Sequence, residues 1–330
     1  GYAGDGLPAA RLLAAASGCL ITHPNVMNGA SLYWSDRRIH YVEGWSLNRF
    51  AVGDLLLRPV RRQRIGLLLD AGIEEDLRHR QLQAAEACRA TLGLEIGPVV
   101  TTDQPLAVTL QRGASGSSWG SLARPDALLR AGHQLKAAGA TAIAVVARFP
   151  DDPGSEALAA YRQGSGVDAL AGAEAVISHL LSLALGLPCA HAPALSPLPL
   201  DPDLDPRAAA EELGFTFLPC VLVGLSRAPD LVVPGDRRPG DLEATELGAV
   251  VVPAGALGGE AVLAAHGRGV PLIVVTGNPS VLAVEAGTLG LSPERIHPVT
   301  SYAEAAGLVV ALREGLSPSA LTRPLGRLPG

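Results

Sequence analysis

Short apolar runs alternate along this chain with segments of helical periodicity, and this alternation limits the fold more than any other feature. The run Arg64–Leu69 is followed by an amphipathic segment over Glu74–Leu92. A second helical segment, Pro125–Ala138, leads into the run Ala140–Ala147. Strands that alternate with helices usually form parallel sheets covered by helices. The sequence therefore predicts an α/β protein with mainly parallel sheets flanked by helices, Rossmann-like, in two apposed α/β halves.

A proline-rich segment predicts where these halves join. Five prolines fall between residues 193 and 206, a composition typical of a linker or a surface crossing. We predict an N-terminal α/β domain over residues 1–192, a connection over 193–206 and a C-terminal α/β domain over 207–330. No strand comes before the opening glycine-rich residues, so we expect the first strand of the N-terminal domain to precede this sequence.

Charge and composition exclude several partners. The net charge is −6 and 18% of the residues are charged, so we expect neither nucleic acid nor an anionic membrane as a partner. No apolar run is long enough for a transmembrane helix, so we expect none, and we expect no signal peptide. Four cysteines without a C-x-x-C spacing indicate reduced thiols, which suits a cytoplasmic protein. The single lysine, Lys136, argues against Schiff-base chemistry and a P-loop.

Polar side chains follow nearly every predicted strand, including a strand predicted over Val221–Gly224. Ligands of open α/β sheets collect outside the carboxyl ends of the strands, so these residues are expected to form one crevice. The candidate substrate-binding residues are Thr22, Asn25, Asn28, Arg148, Ser226, Arg227, Thr276, Asn278 and Ser280, and the candidate catalytic residues are His23, Asp151 and Asp152.

His23 is the leading candidate for a general acid or base, with Asn25 and Asn28 orienting a substrate or an oxyanion. The alternative is that the His-Pro-Asn sequence only forms a hydrogen-bonded turn. His179 lies in an apolar helical segment and is expected to be a core residue. Cys189 and His191 share one face of a predicted strand, because side chains alternate along strands.

The charged candidates have similar alternatives. Arg148 and Arg227 are predicted to bind an anionic group in a bidentate manner, or to pair with structural aspartates instead. Asp151 and Asp152 would act as a base or hold Mg²⁺, although adjacent acids before Pro-Gly also form turns.

The sequence Thr276-Gly277-Asn278-Pro279-Ser280 places a proline where a helix would begin. The free N–H groups of such a helix could bind phosphate or carboxylate. The alternative is that Asn278 or Ser280 only caps the helix.

Ser118 is the centre of a formal G-x-S-x-G sequence. A nucleophile elbow needs a helix straight after the serine, and residues 122–125 intervene, so a hairpin loop or a mobile lid is favoured over a serine hydrolase. His23, His179 and His191 could in principle form a metal site, but their spacing matches no metal motif. We assign no metal ligands, and the cofactor stays unknown.

Four segments resemble an uncharacterised bacterial family, domain of unknown function 3326. They are residues 1–5 (GYAGD), 21–30 (ITHPNVMNGA), 147–152 (ARFPDD) and 173–179 (AEAVISH). The likeness covers nearly the whole chain. Members of the family usually carry a further N-terminal strand and a glycine-rich turn, which this chain lacks. The family has no established activity, so the resemblance implies no reaction.

These observations together predict a cytosolic enzyme that acts on a small polar anionic metabolite. The reaction would be acid/base chemistry in a crevice at the carboxyl ends of the strands. The alternative is a non-catalytic regulatory protein that binds a metabolite or a nucleotide in the same crevice. Either protein could form a homo-oligomer.

Overall fold

A computed structural model describes residues 2, 4–28, 35–113, 118–151, 154–165, 168–212 and 217–327. The strands are β1 (Leu20–Thr22), β2 (Ile39–Tyr41), β3 (Leu56–Arg58), β4 (Ile65–Leu69), β5 (Ile96–Thr101), β6 (Val108–Arg112), β7 (Ser118–Leu122), β8 (Ala142–Arg148), β9 (Cys189–Ala194), β10 (Asp230–Val232), β11 (Val250–Ala256), β12 (Leu272–Val284) and β13 (Ile296–Val299). The α-helices are α1 (Leu7–Ser17), α2 (Pro24–Met27), α3 (Gly44–Val52), α4 (Glu75–Leu92), α5 (Pro125–Ala137), α6 (Glu156–Arg162), α7 (Ala171–Leu185), α8 (Pro206–Glu212), α9 (Phe217–Leu225), α10 (Glu260–Gly267) and α11 (Tyr302–Arg313).

A four-stranded parallel sheet with the order β5-β4-β8-β9 forms the centre of the N-terminal region. Every residue of β4 is buried, as expected for a parallel strand covered on both faces. Ile65, Leu67 and Leu69 pack on the face that carries α4 and α9. Leu68 packs on the opposite face, which carries α5 and α7. The predicted α/β class, with parallel strands between helical layers, is confirmed.

The C-terminal region contains a second parallel sheet, with the order β11-β12-β13. Leu272 of β12 pairs with Val250 on one side and Ile296 on the other. Helix α11 packs against α1, where Leu13 and Ile273 belong to one hydrophobic cluster. Helix α10 contacts α3. Elements of the N-terminal region therefore pack directly against the C-terminal sheet.

The strand predicted over Val221–Gly224 is wrong, because these residues belong to helix α9. Periodicity alone cannot separate a short apolar strand from a buried helix. Leu218, Val221, Leu222 and Leu225 recur at helical spacing and are buried against the four-stranded sheet. Although it follows the proline-rich segment, α9 therefore packs with the N-terminal core.

The helix predicted to begin near Pro279 is also wrong, because β12 continues to Val284. Beyond Val275 the strand has no partner in β13, and Pro279 pairs only with Ala254 of β11. A proline is tolerated at such an edge because its nitrogen needs no acceptor there. No helix N-terminus is therefore formed at this position.

Strands β6 and β7 form an antiparallel hairpin. Ser118 is the first residue of β7, and the next helix begins at Pro125. A nucleophile elbow needs a strand before the serine and a helix directly after it. Ser118 therefore lies in a hairpin and not in an elbow. The hairpin lies directly on the start of α7, since a Cβ at Gly120 would be 2.5 Å from the Cβ of Ala173.

No helix within the described ranges combines the length and the apolarity that crossing a lipid bilayer requires.

Candidate active site

A cavity of about 230 Å³ lies beside β9, the edge strand of the four-stranded sheet. Its walls come from α6, from the starts of α7 and α9, and from the segments that follow β8 and β9. Largely apolar walls with a few convergent polar groups are typical of small-molecule sites. The polar lining residues are Asn25, Asn28, Asp151, Ser155, Tyr161, Asp168, Glu174, His191, Ser196 and Glu212.

His191 and Glu174 form the most buried polar pair of this lining. His191 is 9% exposed and Glu174 is 8% exposed, and Nε2 of His191 lies 3.5 Å from a carboxylate oxygen of Glu174. The other ring nitrogen, Nδ1, lies 3.0 Å from the hydroxyl of Ser178, which in turn lies 3.4 Å from the backbone oxygen of Glu174. The imidazole is therefore held at Nδ1, while Nε2 faces the carboxylate.

Asp168 adds a second carboxylate to this part of the cavity. It accepts a hydrogen bond of 2.8 Å from the backbone N–H of Leu170. Loss of water around Asp168, together with the nearby charge of Glu174, raises the pKa of its carboxyl to about 6. A carboxyl with a raised pKa in a cavity is a common feature of functional sites.

The carboxylate of Asp151 lines the cavity but is held by structural partners. It pairs with the Arg148 guanidinium at 2.6 Å and accepts hydrogen bonds from the backbone N–H and the hydroxyl of Ser196. These contacts, with Arg148 as the largest cause, lower the pKa of Asp151 to about 2. A base with so low a pKa is weak near neutral pH. Asp152 lies outside the described residues.

Arg148, which was predicted to bind an anion, does not line the cavity. Its guanidinium forms ion pairs with Glu74 at 2.7 Å and with Asp151. The alternative pairing with a structural aspartate is the one that the structure contains. The reason is tertiary, because Glu74 precedes α4 and approaches the end of β8 only when β4 and β8 pair.

Asn25 and Asn28 line the cavity, as predicted for substrate-orienting residues. The Asn28 side-chain oxygen accepts a hydrogen bond of 2.9 Å from the Tyr41 hydroxyl, which leaves its amide hydrogens as donors. Thr22 lies in β1, where its backbone oxygen accepts from the N–H of Val42, and it is not among the lining residues.

His23 caps helix α2 and does not line the cavity. Its Nδ1 accepts a hydrogen bond of 3.2 Å from the backbone N–H of Asn25. Surrounding protein atoms exclude water from the ring and lower the pKa of His23 to about 4, although Glu43 opposes this shift. A proton on Nδ1 would also break the capping bond. The alternative of a hydrogen-bonded turn is therefore the one observed.

The prediction that His179 is a core residue is wrong. Its side chain is 41% exposed, and Nε2 lies 2.9 Å from the buried carboxylate of Glu43. Glu43 also accepts hydrogen bonds from the backbone N–H groups of Trp45 and Ser46 at the start of α3. A Cβ at Gly44 would lie 3.0 Å from Nε2 of His179 and 3.4 Å from Nε2 of His23. A glycine thus allows both imidazoles to approach α3.

Five other predicted residues lie elsewhere. Ser226 follows a helix, and its backbone oxygen accepts from the N–H of Gln63, just before β4. It therefore lies with the neighbouring, exposed Arg227 at the amino end of the sheet. Thr276, Asn278 and Ser280 lie on β12 of the C-terminal sheet. None of the five lines the cavity, so the expected common rim is not formed.

The residues that carry the most chemistry here are His191, Glu174 and Asp168. The sequence indicated His191 as one of three histidines for a possible metal site, and it did not indicate Glu174 or Asp168. A local signal existed for Glu174 and Ser178, which are polar residues four apart in a mainly apolar helix. Such a pair faces one side of the helix. Within the described residues, no group of three or more histidine, cysteine, aspartate or glutamate side chains is arranged to hold a metal ion.

Comparison with known proteins supports the resemblance drawn from the sequence. A family described as "Protein of unknown function (DUF3326)" matches residues 1–322. An uncharacterised lipoprotein of Synechococcus sp. (strain ATCC 27144 / PCC 6301 / SAUG 1402/1) is 54% identical over 322 residues, which are 98% of this chain and 89% of that protein. No solved structure matches the chain.

Proposed function

Because this chain belongs to the DUF3326 family of proteins of unknown function, we propose its activity from the geometry of the cavity. We infer that it is an enzyme that acts on a small molecule by acid/base chemistry, with His191 as the proton-transfer group. The observation that carries this proposal is the buried contact between His191 and Glu174 at the wall of the cavity.

The hydrogen bonds around His191 support a role as a base. In the neutral tautomer with its proton on Nδ1, that N–H donates to the hydroxyl of Ser178, which donates to the backbone oxygen of Glu174. Nε2 then carries the lone pair that accepts a proton from a substrate. The carboxylate of Glu174, 3.5 Å away, stabilises the imidazolium that results. A base held by one group and stabilised by a second is a common catalytic arrangement.

The substrate would be small, since the cavity holds about 230 Å³, less than a typical drug-sized site. Asn25 and Asn28 would orient it. The anionic substrate expected from the sequence depended on Arg148 and Arg227 as anion-binding groups. With Arg148 paired and Arg227 at the other end of the sheet, an anionic group would have no described arginine or lysine partner here.

The test is a thermal-shift screen of small metabolites, followed by product analysis of each compound that stabilises the protein. We expect His191→Gln to abolish conversion while the melting temperature stays near that of the wild type. His133→Gln, which changes an exposed histidine on α5, is the matched control and should keep full activity. Conversion that persists in His191→Gln would contradict the proposal.

A non-catalytic regulatory protein remains the second candidate, and the predominance of apolar lining residues favours it. Binding alone requires no titratable centre. Leu158→Trp would fill the cavity and should abolish binding of any compound that occupies it. Compounds that bind the wild type but not this variant, and that are never converted, would support this candidate instead.

We propose a cytoplasmic location for this chain, although its Synechococcus relative is described as a lipoprotein. Bacterial lipid anchors are attached to a cysteine after the preceding segment is removed, and Cys19 is the exposed cysteine here. Removal of that segment would delete α1, whose Leu13 is buried and whose Ala16 oxygen accepts from Arg313. These contacts argue against anchoring at Cys19. Cell fractionation with mass spectrometry of the N-terminus tests this, and recovery of the protein in the membrane fraction with a lipidated cysteine at its N-terminus would contradict it.

A further inference from the structure

The charges that line the cavity are unbalanced. Within the part of the chain that the structure describes, four carboxylates line it and no lysine or arginine does. Two of the four form ion pairs with arginines that do not line the cavity. Asp151 pairs with Arg148, and Glu212 accepts hydrogen bonds of 2.9 and 3.0 Å from Arg162. The remaining two, Asp168 and Glu174, have no such arginine.

Glu174 is buried, with 11% of its side chain exposed, and it lines the cavity. Its nearest described basic atom is Nε2 of His191 at 3.5 Å, a long contact that offers a positive charge only when the imidazole is protonated. Asp168 receives one backbone hydrogen bond, from Leu170. Two neighbouring carboxylates removed from water are costly unless a cation pairs with them. The raised pKa of Asp168 has the same origin.

We propose that the cavity binds a small molecule with an apolar body and a protonated amine, and that the amine lies between Asp168 and Glu174. The inference rests on the proposed function for the location of the site. An ammonium group offers three charged donors, and hydrogen bonds between charged partners are the strong ones. Leu158, Leu170 and Val221 supply apolar contacts for the rest of the molecule.

Three probes that share one ring and differ in charge test this proposal. They are benzylamine, benzyl alcohol and benzoate, and a benzene ring fits a cavity of about 150 Å³. We expect isothermal titration calorimetry at neutral pH to show benzylamine binding at least about tenfold more tightly than benzyl alcohol, the ratio that one charge-assisted hydrogen bond supplies. Benzoate should bind least tightly, because it adds a third negative charge.

Asp168→Asn and Glu174→Gln remove the charges with little change in shape. Each should reduce the preference for benzylamine, and the double variant should abolish it. Asp203→Asn changes an exposed carboxylate that does not line the cavity and should keep the wild-type preference. The melting temperature of each variant confirms that it is folded.

Three results would overturn the inference. They are equal or tighter binding of benzyl alcohol or benzoate, a benzylamine preference that survives in the double variant, and no benzylamine binding to the folded wild type. Its failure is distinct from failure of the proposed catalysis. An amine that binds through these carboxylates but is never converted leaves the inference standing without the enzyme. Conversion of a neutral compound through His191, without any preference for amines, would support the enzyme and overturn the inference.

Discussion

The two parallel sheets of this chain differ most at their carboxyl ends. In the N-terminal region, the segments after β8 and β9 run beneath α6 and the start of α9 and enclose a cavity. In the C-terminal region, β12 passes its partner β13 and continues as a mostly exposed strand to Val284. Polar residues follow the apolar part of both sheets, yet only those of the first sheet line the cavity.

Polar residues at a strand end therefore line a cavity only where another element covers them. Around β9 the covering elements come from α7 on one face and α9 on the other, and they remove water from Glu174 and His191. Along β12, Thr276 and Asn278 stay exposed and bond to nearby groups, the backbone of Val299 and the hydroxyl of Tyr302. Their hydrogen bonds are therefore made where water competes with them.

The largest expected effect is on the stability of the protein at acid pH, and it comes from His23, which lies in the N-terminal region. The pKa of His23 in the folded protein is about 4 against 6.5 for the free residue. The unfolded chain therefore takes up a proton at a higher pH than the folded protein does. The free energy of unfolding is highest above pH 6.5 and decreases as the pH falls toward 4. The loss is up to about 3 kcal/mol. His23→Asn keeps a capping oxygen and does not titrate. Its free energy of unfolding, measured by urea denaturation across this pH range, should fall less steeply than that of the wild type.

Several charges surround His23, and they determine the control for this experiment. Glu43 and Glu174 raise its pKa, whereas His179 and His191 lower it. His179→Gln therefore separates the effect of a neighbouring charge from that of the His23 ring. Identical pH slopes for the wild type and His23→Asn would show that the buried histidine is not the cause of acid lability.

A smaller effect is expected from close packing in the covered region. A Cβ at Gly172 would collide with the carbonyl oxygen of Ser118 and the Cα of Trp119, both of them backbone atoms that cannot turn away. We expect Gly172→Ala to cost at least about 2 kcal/mol. Gly287→Ala, in the open region, meets nothing within 4 Å and should change stability by less than about 0.5 kcal/mol. Equal melting temperatures for the two variants would contradict the claim that Gly172 is more closely packed than Gly287.

The smallest effect is expected on the open sheet. Asn278→Ala deletes an exposed hydrogen bond of 2.8 Å to the Tyr302 hydroxyl, which contributes under about 1 kcal/mol. The variant should unfold near the wild-type urea concentration and bind benzylamine with unchanged affinity in calorimetry. A clear loss of benzylamine binding in Asn278→Ala would mean that the two sheets share one site after all.

The amino-acid sequence by itself determined the α/β class and most of the helices and strands. Continuous apolar runs such as Ile65–Leu69 are buried on both faces, and only parallel strands between helices bury them in this way. It also predicted Asn25 and Asn28 as site residues, and both line the cavity. It failed at Val221–Gly224, which lies in a helix, and from Pro279 to Val284, where β12 continues, because apolar spacing and one proline suit more than one backbone conformation.

Only the tertiary structure decided which strand ends meet. Sheet membership and strand order depend on contacts between distant segments, which no local pattern contains. Pairing of β4 with β8 brings Glu74 to Arg148, and the packing of α7 beside β9 brings Glu174 to His191. The first contact engages a predicted binding residue in a structural ion pair, and the second creates the catalytic candidate. Both follow from burial of apolar surface, which fixes the polar groups attached to it.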